Sequence, residues 1–417
     1  MILFLNNNIH FDFIHLYKQL ILKIMAKKVY IISAVRTPQG SFGGMFLNFS
    51  ATDLGKFAIK GALEKANVKP ESVDEVFMGN VCQAFLGQAP AKQAALGAGI
   101  GDNVPCTTVN KVCSSGMKSA MFAAQAIALG QADVVVAGGM ESMSNIPFYL
   151  PNMRWGKKYG RADVVDGLEF DGLRDAYSHD AMGNSADATA TKYKISREEQ
   201  DAYAINSYKL AAENTDNKNF LDEIIPVSIP QRKKDPILVS ADEEYKKVIF
   251  EKIPNLRPAF NKDGTATAAN SSTLNDGASA LILASEEAVG KYGLRPIAEV
   301  LSYADASMAP EWFTTAPTLA APKALKLAGL VTNEIDYWEV NEAFAVVPLA
   351  FNKELGLDAS KVNQFGGGVS IGHPLGSSGS RIITTLVNVL DKKEGEIGCA
   401  TLCNGGGGAS AFVIKKL

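Results

Sequence analysis

The sequence predicts a layered α/β fold, and three observations carry that prediction. Runs of β-branched and apolar residues alternate with stretches whose apolar residues fall at helical spacing, the βαβα rhythm of sheets covered by helices. With 417 residues, 47% of them hydrophobic, the chain is too long for one small core and too apolar for disorder. A weak internal echo links its two halves. Val109-Asn110 precedes Ser115-Gly116, a helix, a strand and Gly138-Gly139; Val362-Asn363 precedes Ser378-Gly379, a helix, a strand and Gly405-Gly406. A duplicated α/β unit would set two Gly-rich segments face to face around one site.

Val29–Ala34 is a β-branched run that reads as the first core strand. Asp53–Ala66 places Leu54, Phe57, Ala58 and Leu63 at helical spacing, and Val73–Met78 follows as a strand. Ser115–Leu129 reads as a helix and Asp133–Ala137 as a buried strand. Residues 145–270 break the rhythm: they are richer in Pro, Lys, Asp and Tyr, contain charged helical pieces such as Ser196–Glu213, and read as a long insertion lying over a core. From Leu274 the rhythm returns, with Ala278–Leu283, Ile297–Ala304, Tyr337–Val340, Ala400–Cys403 and Ala411–Ile414 as strands. Upstream of Met25, residues 1–24 carry no membrane-length apolar run and neither the cleavage site of a secretory signal nor the Arg and Ser of a transit peptide. They are expected to be a non-native or disordered extension outside the fold.

Composition removes several function classes. Lys+Arg number 41 and Asp+Glu 44, a net charge of -3, so neither a nucleic acid nor an anionic membrane is an expected partner. Five cysteines, few and odd in number, argue against a disulfide scaffold and for a reducing, cytoplasmic setting. No Cys/His spacing matches a zinc site, and no phosphate loop or nucleophile elbow is present.

Scarce Cys and His narrow the search for chemistry. His10 and His15 lie in the extension, and His179 reads as solvated or structural. His373 lies in Gly366–Gly376, where dense glycine permits positive φ and close ligand approach. Cys82, Cys106 and Cys399 read as small buried side chains. Cys113 stands just before an Ala- and Met-rich helix, whose dipole is expected to favour thiolate. Cys403 runs into Asn404 and Gly405–Gly408, whose amides could hold a developing oxyanion. The surviving candidate is a site of two Cys and one His with Gly-rich oxyanion holes, one Cys a nucleophile and the other an acid/base.

At these residues the chain resembles a thiolase. Asn110–Met117 resembles the family's nucleophile signature, Asn341-Glu342-Ala343-Phe344-Ala345 its Asn-Glu-Ala-Phe block, Gly367–Gly379 its His block and Cys403–Gly408 its C-terminal Cys block; Ala34–Pro38 also fits. The motifs are ordered and span nearly everything from Lys27 to Leu417. Gln200–Tyr208, Thr267–Gly277 and Cys403–Ser410 resemble the biosynthetic and mitochondrial acetyl-CoA C-acetyltransferase type. The resemblance implies a five-layered αβαβα fold of two similar halves, 27–293 and 294–417, with a loop domain at about 143–270 in the first, and a homo-oligomer, dimer or tetramer.

The resemblance also implies a mechanism. His373 takes the Cys113 proton, Cys113 is acetylated by acetyl-CoA, and Cys403 removes an α-proton from a second acetyl-CoA to give acetoacetyl-CoA and CoA. Asn341 would hold a water beside the enolate, and the amides of Cys113 and Gly405 would stabilise the tetrahedral intermediate. No cofactor is required, CoA being a substrate. Family positions that touch CoA fall on Lys247, Val248, Ile249, Lys252 and Ser272. A potassium site of mitochondrial relatives would fall on Tyr208, Ala268, Ala269, Ser271 and Val369, or the same backbone could exist without the ion. Two departures bear on specificity. Ala181 replaces a His that precedes Met-Gly in many acetoacetyl-CoA thiolases, and Thr314 follows Phe313 where the mitochondrial type has Pro. The alternatives are a degradative 3-ketoacyl-CoA thiolase of broader chain length and, more remotely, a non-catalytic acyl-CoA or lipid-binding relative.

Overall fold

The computed structural model describes residues 27–417, so the reading of residues 1–24 lies outside the described residues. Ten strands form one sheet. Its order is Tyr337–Val340, Ile397–Asn404, Gly408–Lys416, Ala298–Ser307, Val29–Arg36, Asn275–Ser285, Val134–Ser142, Glu75–Gly79 and Cys106–Val109, with Gly40–Ser41 paired to Asn275–Ser285. The sheet narrows at one seam. Val29–Arg36 pairs with Asn275–Ser285 from Val29↔Ser285 to Arg36↔Ser279, but meets Ala298–Ser307 only at Tyr30↔Glu299 and Ile31↔Ala298.

The sheet folds about this seam, and its two wings enclose the helices Ser115–Ala128 and Leu375–Lys392, the second of which touches strands of both wings. Side chains on successive strand residues point to opposite faces. Leu281 and Leu283 accordingly join the central cluster with the two helices, while Ala280, Ile282 and Ala284 face the outer helices Ala51–Ala66 and Pro90–Gly97. In the other wing Phe412 and Ile414 face inward, and Ala411 and Val413 pack on Pro317–Ala328 and Val346–Leu355. The result is helix, sheet, helix, sheet, helix: the five-layered αβαβα arrangement. Both faces of these strands are covered, which is why they read as continuous apolar runs rather than alternating ones.

Glycines set the centre. A Cβ on Gly379 would lie 2.3 Å from the Met117 amide, and one on Gly139 would lie 1.9 Å from the Gly376 carbonyl oxygen. The two central helices can therefore cross each other and the strand ends at backbone contact.

The internal echo holds in the topology, but its glycine pairs are out of register. Asn80 follows Glu75–Gly79 as Asn341 follows Tyr337–Val340. Gly79 pairs with Gly139 and Val340 with Thr401, so Gly139 corresponds to Thr401 and Glu141 to Cys403. Gly138 and Gly139 lie mid-strand, whereas Gly405–Gly407 form the turn of the hairpin between Ile397–Asn404 and Gly408–Lys416. Gly406 and Gly407 take φ of 79° and 82°, a conformation that disfavours any residue with a Cβ.

The inserted region carries the helices Met182–Tyr193 and Arg197–Asp216 and two short hairpins. Ser196, through a capping box with Glu199, caps the second of these helices, whereas the first has no side-chain cap. Buried Arg36 ties the region to the core: its Nε lies 2.6 Å from Glu223 Oε1, and its two terminal nitrogens reach Asp242 at 2.6 and 2.9 Å. Two carboxylates on one guanidinium offset the cost of burying the charge. No helix of the described residues is long and apolar enough to cross a membrane.

Candidate active site

Cys113 sits on the corner between the strand Cys106–Val109 and the helix Ser115–Ala128. Ser115 closes the corner, its Oγ accepting from the Lys111 amide at 2.8 Å and donating to the Val112 carbonyl at 2.5 Å. The thiol is buried. Burial pushes it up to about 12, while the amides of Gly405 and of Cys113 itself pull the other way. The expectation of a thiolate at a helix end is thus corrected. Desolvation of the charged form outweighs the dipole, and the resting group is a neutral thiol that needs a base.

His373 follows Gly372, whose φ is 108°. Its backbone amide donates to Asn275 Oδ1 at 2.9 Å. The ring Nδ1 lies 2.6 Å from Ser378 Oγ, and that hydroxyl donates its one hydrogen to the Pro374 carbonyl at 2.8 Å. Nδ1 must therefore carry the proton and donate, which leaves Nε2 as the acceptor. Nε2 faces Asn341 Nδ2 at 3.4 Å. Burial lowers the imidazole to about 3, with a further push from the Arg381 charge. The ring is neutral at rest.

Cys403 is the penultimate residue of Ile397–Asn404 and is fully buried. Burial pushes its thiol up, and the nearby Cys113 adds to the rise. The neighbouring Asn404 accepts a 2.9 Å bond from Ser114 Oγ, so the two Cys segments are stitched together. Asn341 continues the edge strand, its backbone amide donating to the Thr401 carbonyl at 3.0 Å. Its Oδ1 is buried and has no partner among the described residues.

A cavity of about 170 Å³ opens on His373 and is lined by Met143, Met182, Phe260, Ser272, Phe344 and Leu375, among others. A second depression of about 270 Å³ gathers Lys247, Val248, Ile249 and Lys252 with Tyr208, Ala268 and Ala269. The sequence-expected residues therefore fall in two places. His373, Ser271 and Ser272 line the first, with Asn341 beside the imidazole, while Cys403 and Gly405 lie beside Cys113. The remaining CoA candidates share the second with three of the five potassium candidates. Val369 packs on Tyr208 at that second place. Lys247 is also flanked by Glu243 and Glu244, at 3.6 and 3.8 Å. Cys106 is half-buried rather than buried, and all five cysteines are free.

Sequence reading missed Ser378 and Asn275 as supports of His373. Ser378 stood inside the His block, and a hydroxyl within one helical turn of a Pro-capped start was the available signal. Asn275 and Phe260 are remote in sequence from His373 and carried no local signal.

Thiolase family models match the chain along nearly its whole length, the N-terminal domain over residues 29–287 and the C-terminal domain over 294–416. An acetyl-CoA acetyltransferase of Schizosaccharomyces pombe is 56% identical over 391 residues, covering 94% of this chain and 99% of that one. A mitochondrial acetyl-CoA acetyltransferase of Rattus norvegicus is 52% identical over 390 residues, covering 93% and 91%; another relative, of Gibberella zeae, bears a cytosolic name. The crystal structure of Acat5 thiolase from Ascaris suum in complex with coenzyme A superposes with a TM-score of 0.89 at 48% identity, covering 94% of this chain and 100% of that one. With both family models matched in order, relatives above half identity over nearly the whole chain and the layered fold they share, the chain belongs to the thiolase family.

Proposed function

We propose that the chain is an acetyl-CoA C-acetyltransferase, joining two acetyl-CoA to acetoacetyl-CoA and CoA and running the reverse thiolysis at the same site. The observation that carries this reading is a second thiol, Cys403, near the Cys113 thiol, on the hairpin whose Gly405 amide favours the charged form of Cys113. One turn thus supplies an oxyanion donor and a second thiol to whatever acyl group Cys113 bears.

His373 Nε2 takes the Cys113 proton as the sulfur attacks the acetyl carbonyl carbon. The C–S bond to CoA breaks, and the leaving sulfur takes the Cys403 proton. Cys403, now a thiolate, removes an α-proton from the second acetyl-CoA. The carbanion attacks the acetyl-Cys113 carbonyl and expels the Cys113 sulfur, which recovers its proton from His373. While protonated, His373 donates to the enolate oxygen, joined by a water held through Asn341. The amides of Cys113 and Gly405 receive the tetrahedral oxyanion. Lys247, Lys252 and Ser272 would contact CoA.

Ser378→Ala should lower turnover by roughly 10- to 100-fold, because it removes the acceptor that keeps the proton on Nδ1. Steady-state thiolysis checks it, and a variant at full rate would remove Ser378 from the machinery.

The phenol of Tyr208 and the carbonyls of Ala268, Ala269, Ser271 and Val369 are hard oxygen donors, suited to potassium. Bound there, the ion would supply a fixed positive charge that braces the segment leading to Ser272. The small cavity at His373 favours a short acyl group. Thiolysis of a four-carbon 3-ketoacyl-CoA should exceed that of longer chains by about tenfold, and should rise with potassium. Preference for longer chains would replace this reading with a degradative thiolase; indifference to potassium would remove the ion.

The same reading takes residues 27–293 and 294–417 as two similar halves, with the loop domain at about 143–270. It places the enzyme in the cytoplasm, in keeping with five free thiols. It also expects a homo-oligomer, in keeping with exposed Phe85, Trp155 and Tyr159.

A further inference from the structure

The corner that bears Cys113 is strained. Val112 takes a φ of 49°, a left-handed conformation that β-branched residues almost never adopt. Such a residue persists only where its surroundings over-determine it. Local bonds account for part of the restraint, since Val112 N donates to Asn110 Oδ1 at 3.0 Å and Ser115 holds the corner as described above.

The rest comes from across the molecule. The Lys111 ammonium reaches the other wing, 2.5 Å from Asp305 Oδ1, 2.7 Å from Ser410 Oγ and 3.2 Å from the Ala409 carbonyl. All three of its donors are used there. Ser410 Oγ donates to Asp305 Oδ1 at 2.7 Å, and Lys118 Nζ takes Asp305 Oδ2 at 2.7 Å. Asp305 and Ser410 face each other across paired strands. Burial pushes Asp305 up, yet the two lysines and Ser410 outweigh it and hold the carboxyl at about 2. Ala409 and Ser410 directly follow the Gly405–Gly408 run. Lys111 is therefore bolted to the same hairpin that carries Cys403 and the Gly405 amide.

We propose that Lys111 is a positioning residue: through Asp305 and Ser410 it clamps the left-handed Val112 corner so that the Cys113 sulfur stays on the Gly405 amide. This rests on the reading of Cys113 as the nucleophile.

The test is a double-mutant cycle with Val112→Gly, since glycine takes positive φ without a clamp. Single-turnover acetylation by acetyl-CoA is followed as the mass shift on the Cys113 peptide, beside kcat and KM for thiolysis. Lys111→Met should slow acetylation about tenfold, through kcat with KM little changed. In the Val112→Gly background the same substitution should cost less than about twofold. Asp305→Asn, cutting the link from the other side, should behave alike. Equal losses in both backgrounds, or no loss in the first, would overturn the proposal. Unfolding of both link variants by circular dichroism would also overturn it, because the link would then sustain the fold rather than the corner. If the unsubstituted enzyme carries no acetyl group on Cys113, it is the nucleophile assignment that fails, and the two failures are told apart.

Discussion

Cys113→Ser should reduce acetyl transfer by roughly 10⁴-fold while leaving the fold intact. The exchange of sulfur for oxygen is nearly isosteric, so the buried corner is expected to accept it. The chemistry is what changes. The resting thiol is already pushed up to about 12 by burial, and its base, His373, is held down to about 3. Proton transfer between them is uphill even for a thiol, and it proceeds because the ion pair that forms is mutually stabilised in a dry site. A hydroxyl is a far weaker acid, so the same base removes its proton too rarely. Thiolysis of acetoacetyl-CoA measures the loss, and an unchanged rate would refute Cys113 as the nucleophile.

Cys403→Ala should separate the two half-reactions. Acetyl-Cys113 should still form from acetyl-CoA, more slowly, because the leaving CoA loses its proton donor but can depart as a thiolate. Exchange of the α-protons of acetyl-CoA with solvent deuterium should fall by roughly 10³-fold, and condensation with it. Among the described residues, neither of the nearest candidate bases stands in for Cys403. His373 has its Nε2 committed to the Cys113 proton, and Glu141, the topological counterpart of Cys403 in the other wing, is occupied by the amides of Val81, Cys82 and Gly376 at 3.0, 3.2 and 2.8 Å. The substitution removes a sulfur from an apolar cluster that includes Phe313 and Phe344 and should cost stability on the order of 1 kcal/mol. Rapid exchange in this variant would contradict the role of base.

Much of the fold was legible in the chain. The strand Tyr337–Val340 is found with the bounds its β-rich run predicts, and Val29–Arg36 extends the predicted Val29–Ala34 by two residues. Strands buried on both faces announce themselves by unbroken apolar runs. The short strand Cys106–Val109 and the Ala- and Pro-containing helix Pro317–Ala328 were not read. The first is brief and half-buried, and the second carries Pro322 in its interior, so tertiary packing overrides propensity in both. Among the chemical residues, Cys113, His373 and Cys403 stood out because Cys and His are scarce and lie in Gly-rich backbone. Ser378, Asn275 and Lys111 did not, because each acts through a partner fixed only by folding.

By itself the sequence determined the alternation of strands with helices, the layered class, and which few side chains have the chemistry for acyl transfer, since these depend on local hydropathy and residue type. Only the tertiary structure decided that Cys113 rests as a thiol and His373 as a neutral ring with Nε2 as its acceptor. Protonation follows desolvation and distant partners, and neither is a local property. It also decided the register of the duplication, matching Cys403 to Glu141 and so setting Gly405-Gly406 out of step with Gly138-Gly139, because register is set by ladder contacts between strands far apart in the chain.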